Sequence, residues 1–136
     1  MATTAFSIDR LRDGASEATL REIEEGLPVS AMRDVMRDKA IKLADLVGIV
    51  ASRRTLDRRL AGNGPLTLEE GDKLVQFAKV VALATHVMGD RVAAMEWLRA
   101  PQFDFNGLPP IEYLRTQTGN ELVIQLLQRF RHGMLA

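Results

Sequence analysis

Apolar residues recur along most of the chain at spacings of three and four, which is the period of an α-helix that packs on one side. Met32, Val35 and Met36 show this spacing in one segment, and the segment 68–88 carries a wider apolar face. The last periodic segment, 120–131, has a single apolar stripe. No run alternates between apolar and polar residues as a half-buried strand does. The pattern predicts an all-α fold, a bundle of helices.

Residues with short polar side chains stand where the predicted helices begin, since a side-chain oxygen there accepts a hydrogen bond from a free backbone N–H. The predicted N-caps are Ser16, Ser30, Ser52, Thr67 and Asp90. Glu70 follows Thr67 by three residues and predicts a reciprocal capping box. Towards the C-terminus we predict helices over 110–118 and 120–131. Residues 1–15 show little periodicity and predict an arm or a short helix.

A helix-turn-helix is indicated by the segment LADLVGIV, followed closely by the helical segment RRTLDRRL. Ala44 is small enough to let two helices approach, and Gly48 supplies a turn where a positive φ costs little. The second helix begins after Ser52 and directs Leu56 and Leu60 towards the core, because they lie four residues apart. Its arginines are left on the other faces.

The basic residues are concentrated around this motif. Six basic and two acidic residues fall within 39–62, although the whole chain has a formal net charge of zero. A basic block suits phosphate contacts, and the start of the second helix would enter a major groove with arginines at base edges and phosphates. The candidate DNA-binding residues are Ser52, Arg53, Arg54, Thr55, Arg58 and Arg59. The alternative is a solvated helix face, since charged faces are common.

The stretch 89–119 differs from an ordinary helical surface. It holds the single Trp and the single Tyr of the chain, two of its five Phe, three of its five prolines and three of its ten glycines. A helix ending near Trp97 is followed by a loop through Phe103 and Phe105, then by a Pro-Pro turn and a second helix. Large rigid side chains of this kind often anchor protein interfaces. The alternative is that they close the core beneath the last helices.

This tail and the motif before it closely resemble the Xre/MbcA/ParS antitoxin family, in which an Xre-like helix-turn-helix precedes a C-terminal toxin-binding domain. The resemblance runs from Gly26 to the C-terminus and is most specific between residues 89 and 119. Family members tend to pass directly from the turn into the second helix, whereas Val50 and Ala51 intervene here, so we expect a longer turn. The implied organisation is an N-terminal arm and short helix (1–25), a helix-turn-helix domain (26–88) and a toxin-binding domain (89–136).

The resemblance implies an antitoxin of a type II RES-Xre system, similar to ParS. Such a homodimeric protein binds a RES-domain toxin, occludes the active site where the toxin consumes NAD or transfers ADP-ribose, and represses its own operon. The residues assigned to toxin binding are Trp97, Leu98, Phe103, Phe105, Gly107, Tyr113, Leu126, Phe130, Arg131 and His132.

Either end of the chain could block the NAD pocket of the toxin. The resemblance favours the C-terminal residues 131–136, with Arg131 engaging the polarity that binds phosphate there. The rival blocking element is the N-terminal arm, with Phe6, Ile8 and Leu11.

Other function classes find little support in the sequence. The absence of cysteine excludes disulfides and thiolate metal sites. His86 and His132 form no metal-ligand pattern, and no phosphate loop, HExxH motif or nucleophile elbow occurs. We therefore expect no enzymatic activity, no catalytic residue, no metal and no cofactor. No apolar run approaches a membrane span and no signal peptide is visible, so we expect a cytoplasmic protein without membrane contact.

Two further functions remain open. One is a stand-alone dimeric helix-turn-helix regulator whose tail serves only dimerisation. The other is an adaptor that does not bind DNA, in which the arginine-bearing helix is a solvated relic. The wide apolar face of residues 74–87 suits either dimerisation or the core of the chain itself. A neighbouring reading frame for a RES-like toxin would favour the antitoxin.

Overall fold

The computed structural model describes residues 5–133, which fold into eight α-helices and two short 3₁₀ turns. The helices are α1 (Glu17–Glu25), α2 (Ser30–Arg37), α3 (Leu43–Leu46), α4 (Arg53–Ala61), α5 (Leu68–Met88), α6 (Arg91–Arg99), α7 (Pro110–Tyr113) and α8 (Gln117–Arg131). The 3₁₀ turns are Ile8–Leu11 and Phe103–Phe105. This part of the chain has isolated β-bridges but no strand, so the predicted all-α fold is confirmed. None of its helices is both long and apolar enough to cross a membrane.

Helix α5 is the centre of the fold. It is buried around most of its circumference, because α1, α6, α8 and the N-terminal 3₁₀ turn all pack against it. Phe77, Val80 and Leu83 are almost completely inaccessible to solvent. The wide apolar face of residues 74–87 therefore serves the core of the chain itself, and little of it is left for contact with a second copy.

Hydrogen bonds confirm four of the five predicted N-caps. The hydroxyl oxygens of Ser16, Ser52 and Thr67 each accept a bond from the N–H three residues further along, at 3.1–3.3 Å. The carboxylate of Asp90 does the same at 2.7 Å. Glu70 completes the predicted capping box, because its carboxylate accepts a bond from the N–H of Thr67 at 2.9 Å. These helix starts are set by local sequence.

The N-cap predicted at Ser30 is wrong. Ser30 is already the first residue of α2, and Val29 before it has near-helical dihedral angles, with φ −59° and ψ −22°. The N–H of Ala31 donates to the carbonyl oxygen of Pro28 at 2.9 Å. The N–H groups of Met32 and Arg33, which a cap at Ser30 would serve, donate instead to the carbonyl oxygen of Val29 at 3.0 and 3.4 Å, so the helix starts earlier.

The predicted boundaries of the two C-terminal helices are also wrong. Helix α7 ends at Tyr113, and α8 begins at Gln117 rather than Asn120. The cause is Thr116, whose hydroxyl caps α8 by accepting a bond from the N–H of Gly119 at 3.0 Å. Gly119 therefore lies inside α8 instead of separating two helices. A Cβ at this position would overlap the carbonyl oxygen of Tyr113.

Arginines at the two ends of α6 join the C-terminal half of the chain to the N-terminal half. Arg99 donates two hydrogen bonds to the buried carboxylate of Asp45 on α3, at 3.0 and 2.5 Å. These bonds raise the pKa of Arg99, so its charge is retained. Arg91 lies 2.8 Å from Asp9 and 3.1 Å from Asp38. The ion pairs hold the helix-turn-helix and the tail against each other.

Candidate functional site

Helix α4 is anchored by its apolar side and exposes most of its arginines. Leu56 is buried and Leu60 packs against the core, as their spacing predicts. Arg53, Arg54 and Arg58 are exposed on the remaining surface. The helix therefore presents a cationic face, which suits contacts with anions.

The exposed arginines differ in their surroundings. Arg53 shares its helix face with Asp57, with 3.4 Å between the two charged groups. Within residues 5–133, neither Arg54 nor Arg58 forms a salt bridge. Thr55 is half-buried, and its hydroxyl lies 3.1 Å from that of the capping Ser52. Arg54 and Arg58 are thus the side chains of this set most available to phosphates.

The turn before α4 is closed by its own backbone. Gly48 has φ +81°, and its N–H donates to the carbonyl oxygen of Ala51 at 2.9 Å. The prediction that Gly48 supplies the turn is confirmed. Val50 is buried, and its N–H donates to the carbonyl oxygen of Leu46 at 2.9 Å. The two extra residues therefore form an ordered, packed turn. The guanidinium of Arg115 covers it, with Nη1 only 2.9 Å from where a Cβ of residue 48 would lie.

Arg59 faces a different partner from the other arginines of α4. It donates to both carboxylate oxygens of Glu70 on α5, at 2.9 and 3.2 Å. The bond raises the pKa of Arg59. Sequence reasoning assigned Arg59 to the DNA backbone and Glu70 only to a cap. In the structure this pair forms a brace that fixes α4 against α5, with bidentate arginine–carboxylate geometry.

The carboxyl group of Glu70 makes the stability of this region depend on pH. Burial raises the pKa of its carboxyl, but the bonds from Arg59 and Thr67 outweigh burial and leave it below its ordinary value. The charged form is therefore favoured by folding. Its contribution is fully present above the ordinary glutamate pKa and is lost as the pH falls through the lower, folded value.

We expect Glu70→Gln to lower the free energy of unfolding by about 1–2 kcal/mol at pH 7, because it removes charge-assisted hydrogen bonds from a buried site. Below about pH 4 the difference in unfolding free energy between this variant and the unmodified protein should shrink, because Glu70 becomes protonated and loses its charge-assisted bonds. Urea unfolding followed by circular dichroism at the two pH values measures both. Glu69→Gln is the matched control, since Glu69 is exposed and pairs only with Lys73 within the described chain. Equal effects of the two substitutions would contradict the brace.

An aromatic cluster of Trp97, Phe105, Tyr113 and Phe130 organises the tail. Trp97 meets Phe105 and Phe130 edge to face, with ring centroids 6.5 and 6.1 Å apart. The rings of Phe105 and Tyr113 lie 4.6 Å apart. The cluster joins α6, the second 3₁₀ turn, α7 and α8, and such pairs add to the energy of burial.

The loop between α6 and α7 is a tightly bonded turn. The N–H of Gln102 donates to the carbonyl oxygen of Leu108 at 3.1 Å, and the N–H of Gly107 donates to that of Gln102 at 2.9 Å. The side-chain amide of Gln102 donates to the carbonyl oxygen of Trp97 at 3.1 Å. Asn106 and Gly107 complete the reversal with positive φ. The backbone of this loop is therefore well constrained.

The two phenylalanines of the loop face opposite ways. Phe105 is only 4% exposed, whereas Phe103 is 97% exposed at the tip. Among the other residues assigned to toxin binding, Leu98 and Leu126 are buried, Gly107 and His132 are exposed, and Trp97, Tyr113, Phe130 and Arg131 are half-buried. The buried residues of this set therefore pack the interior of the tail, whereas the exposed ones are accessible to a partner.

Sequence reasoning missed two exposed leucines of the tail. Leu108, at the base of the loop, is 49% exposed, and Leu122 on α8 is 44% exposed. A signal was present for Leu122, because the adjacent apolar pair Leu122 and Val123 makes the stripe of this helix wider than one core face requires. No comparable signal marked Leu108.

The N-terminal turn and the end of α8 lie together. Arg131 reaches the carboxylate of Asp13 at 2.8 Å, and hydrogen bonds from Arg131 and Arg12 lower the pKa of Asp13. The two elements considered as rival toxin blockers are therefore neighbours. Residues 1–4 of the arm and 134–136 of the C-terminal end lie outside the described part of the chain.

The large apolar residues of the N-terminal arm face the fold. Ile8 and Leu11 are buried, and Phe6 packs against the core. The N–H of Phe6 also donates to the carboxylate of Asp34 at 2.9 Å. These three side chains are committed to the chain itself, which leaves them little freedom to enter a partner.

Both halves of the chain match known domain families. Residues 18–79 match the antitoxin Xre-like helix-turn-helix domain. Residues 83–133 match the antitoxin Xre/MbcA/ParS C-terminal toxin-binding domain. The boundary between the matched regions lies within α5, which packs against elements on both sides.

Three similar proteins all bear the name antitoxin Xre. An antitoxin Xre of Pseudomonas putida is 32% identical over 124 residues, which cover 91% of this chain and 70% of that protein. An antitoxin Xre of Photorhabdus laumondii is 27% identical over 116 residues, or 84% of this chain and 78% of that protein. An antitoxin Xre of Yersinia enterocolitica is 31% identical over 84 residues, or 61% and 57%. The chain therefore belongs to the Xre/MbcA/ParS family of antitoxins.

Proposed function

We propose that this chain neutralises a cognate toxin by binding it through the tail and covering its active site. The observation that carries the proposal is the rigid loop that exposes Phe103 within the segment similar to the toxin-binding domain of the family. A large apolar side chain on a constrained backbone loses little entropy on binding, which makes it an effective anchor.

The toxin in this proposal is a RES-domain enzyme that consumes NAD or transfers its ADP-ribose. Phe103, Gly107 and His132 supply exposed contacts, while Leu98 and Leu126 keep the tail in shape from within the core. Trp97, Phe105, Tyr113 and Phe130 hold the loop in place as the aromatic cluster. Because the exposed contacts depend on this packing, the antitoxin must keep its fold in the complex to block the active site.

The surface where α8 meets the N-terminal turn is the proposed cover of the NAD pocket. The guanidinium of Arg131 is only partly exposed while it binds Asp13. A planar guanidinium forms bidentate bonds to phosphate or carboxylate oxygens. A pocket built for the phosphates of NAD therefore suits Arg131, with His132 beside it.

We also propose that the chain represses its own operon through α4. Arg53, Arg54 and Arg58 provide the exposed cations, and the hydroxyls of Ser52 and Thr55 add donors at the start of the helix. Arg59 acts through Glu70 by fixing the helix. A homodimer with its two α4 helices about 34 Å apart would match half-sites one turn of DNA apart.

Co-expression with the product of the adjacent reading frame tests the toxin partnership. An affinity tag on this chain should retain that product through purification in a stable complex. The Glu69→Gln and Arg54→Ala variants serve as charge controls, because both residues are exposed and neither belongs to the tail. Retention of the partner is expected for both. Loss of the partner by the unmodified chain would instead favour a stand-alone regulator whose tail has another use.

A further inference from the structure

A cleft of about 280 Å³ opens beside the rigid loop of the tail. The loop residues 104–106 form one side, and α8 forms the other with Leu122 and Arg129. Tyr113 of the aromatic cluster also lines it. The exposed Phe103 directly precedes Asp104, the first of the loop residues that line the cleft.

The loop and α8 leave much apolar area in water. Phe103 is 97% exposed, and Leu108 and Leu122 are each about half exposed, at 49% and 44%. Isolated exposed apolar residues are ordinary, but a fully exposed Phe on a turn closed by hydrogen bonds is held in a position where its own core cannot cover it. Such an arrangement is typical of a preorganised interface.

The cleft also has a charge pattern of its own. Asp104 on the loop and Arg129 on α8 both line it. Neither forms a salt bridge with another residue in the range 5–133. Opposite charges on facing sides of a cleft fix the orientation of whatever enters it, because a reversed partner would place like charges together.

We infer that Phe103 and this cleft are the two halves of the docking surface for the toxin. The ring of Phe103 enters an apolar pocket of the toxin, and an apolar side chain of the toxin enters the cleft beside Leu122. The toxin presents a basic group to Asp104 and an acidic group to Arg129. The inference rests on the proposed function and names the partner contacts that it requires. The toxin is the occupant because the whole surface falls within the segment similar to a toxin-binding domain.

The test uses the purified product of the adjacent reading frame and measures its affinity for full-length variants. We expect Phe103→Ala to weaken binding at least about 30-fold, the loss typical of a central anchor. The unfolding midpoint should not change, because the ring makes almost no contact within the chain. Leu68→Ala is the matched control, since Leu68 is 60% exposed but lies at the start of α5. Its affinity should equal that of the unmodified protein.

A second pair of variants tests the cleft. Leu122→Arg, which obstructs the cleft, should weaken binding at least tenfold, whereas Leu20→Arg on α1 should leave it unchanged. Unchanged affinity of Phe103→Ala or of Leu122→Arg would overturn the docking surface while leaving the antitoxin proposal intact. Failure of the unmodified chain to bind would remove the proposed function and this inference with it. A change of self-association in Phe103→Ala, with toxin affinity unaltered, would assign the surface to a second copy of the chain and overturn the inference.

Discussion

Replacing Gly119 with alanine will lower the free energy of unfolding by about 3 kcal/mol or more. Helix propensity alone predicts the opposite, since alanine is favoured over glycine by about 1 kcal/mol inside a helix. A steric clash at this position outweighs the gain in helix propensity, so the substitution is destabilising overall. A Cβ on Gly119 would overlap the carbonyl oxygen of Tyr113 and lie 2.9 Å from its carbonyl carbon. These are backbone atoms of the preceding turn, so relief requires α7 and α8 to separate.

Gly64→Ala is the matched control for this prediction. A Cβ on Gly64 would meet no atom within 4 Å, and its φ lies outside the left-handed region. The same substitution there should leave stability unchanged or raise it by up to about 1 kcal/mol. Urea unfolding followed at 222 nm compares the two. Similar stabilities for Gly119→Ala and Gly64→Ala would show that α7 and α8 do not approach as closely as described.

The double substitution Arg54→Ala and Arg58→Ala will weaken binding to the promoter fragment upstream of the reading frame by about 100-fold at physiological salt. Both side chains are exposed on α4, and neither takes part in the Arg59–Glu70 ion pair. Each phosphate contact contributes about 0.9 to the slope of log affinity against log salt. The slope should therefore become shallower by about 1.8 if both arginines contact phosphates.

The control for the double variant removes the same charge elsewhere. Arg10 and Arg21 are exposed, and neither belongs to α3 or α4. Changing both to alanine alters the net charge equally and should shift the affinity only slightly, because charges beyond a Debye length are screened. Fluorescence anisotropy at several salt concentrations measures both variants. Equal losses of DNA affinity in the two double variants would indicate attraction by bulk charge. An unchanged affinity of the Arg54 and Arg58 variant would exclude α4 from the DNA interface.

Local features of the fold were predictable from the sequence. The caps at Ser52 and Thr67 and the turn at Gly48 depend on residues within four positions of one another, so spacing alone identifies them. Ser30 and Gly119 show the limit of such reasoning. Each residue type is common at helix boundaries, but α2 starts through backbone bonds at Val29 and α8 through the side-chain cap of Thr116.

The exposure and the partners of individual residues in the candidate sites were less predictable. Phe103 and Phe105 are two residues apart in a 3₁₀ turn, and no periodicity indicates which one faces solvent. The pairs of Arg59 with Glu70 and Arg131 with Asp13 join residues that are distant in sequence. Ion pairs of this kind depend on tertiary packing, which the order of charged residues along the sequence does not specify.

We propose that this chain silences an NAD-consuming toxin by covering its active site. The most direct measurement is NAD consumption by the product of the adjacent reading frame, titrated with increasing amounts of this chain. We expect consumption to fall to background near one antitoxin per exposed active site and to return when Phe103→Ala replaces the unmodified chain at the same concentration. NAD loss that persists unchanged at a severalfold excess of the intact chain would show that the chain does not cover the active site.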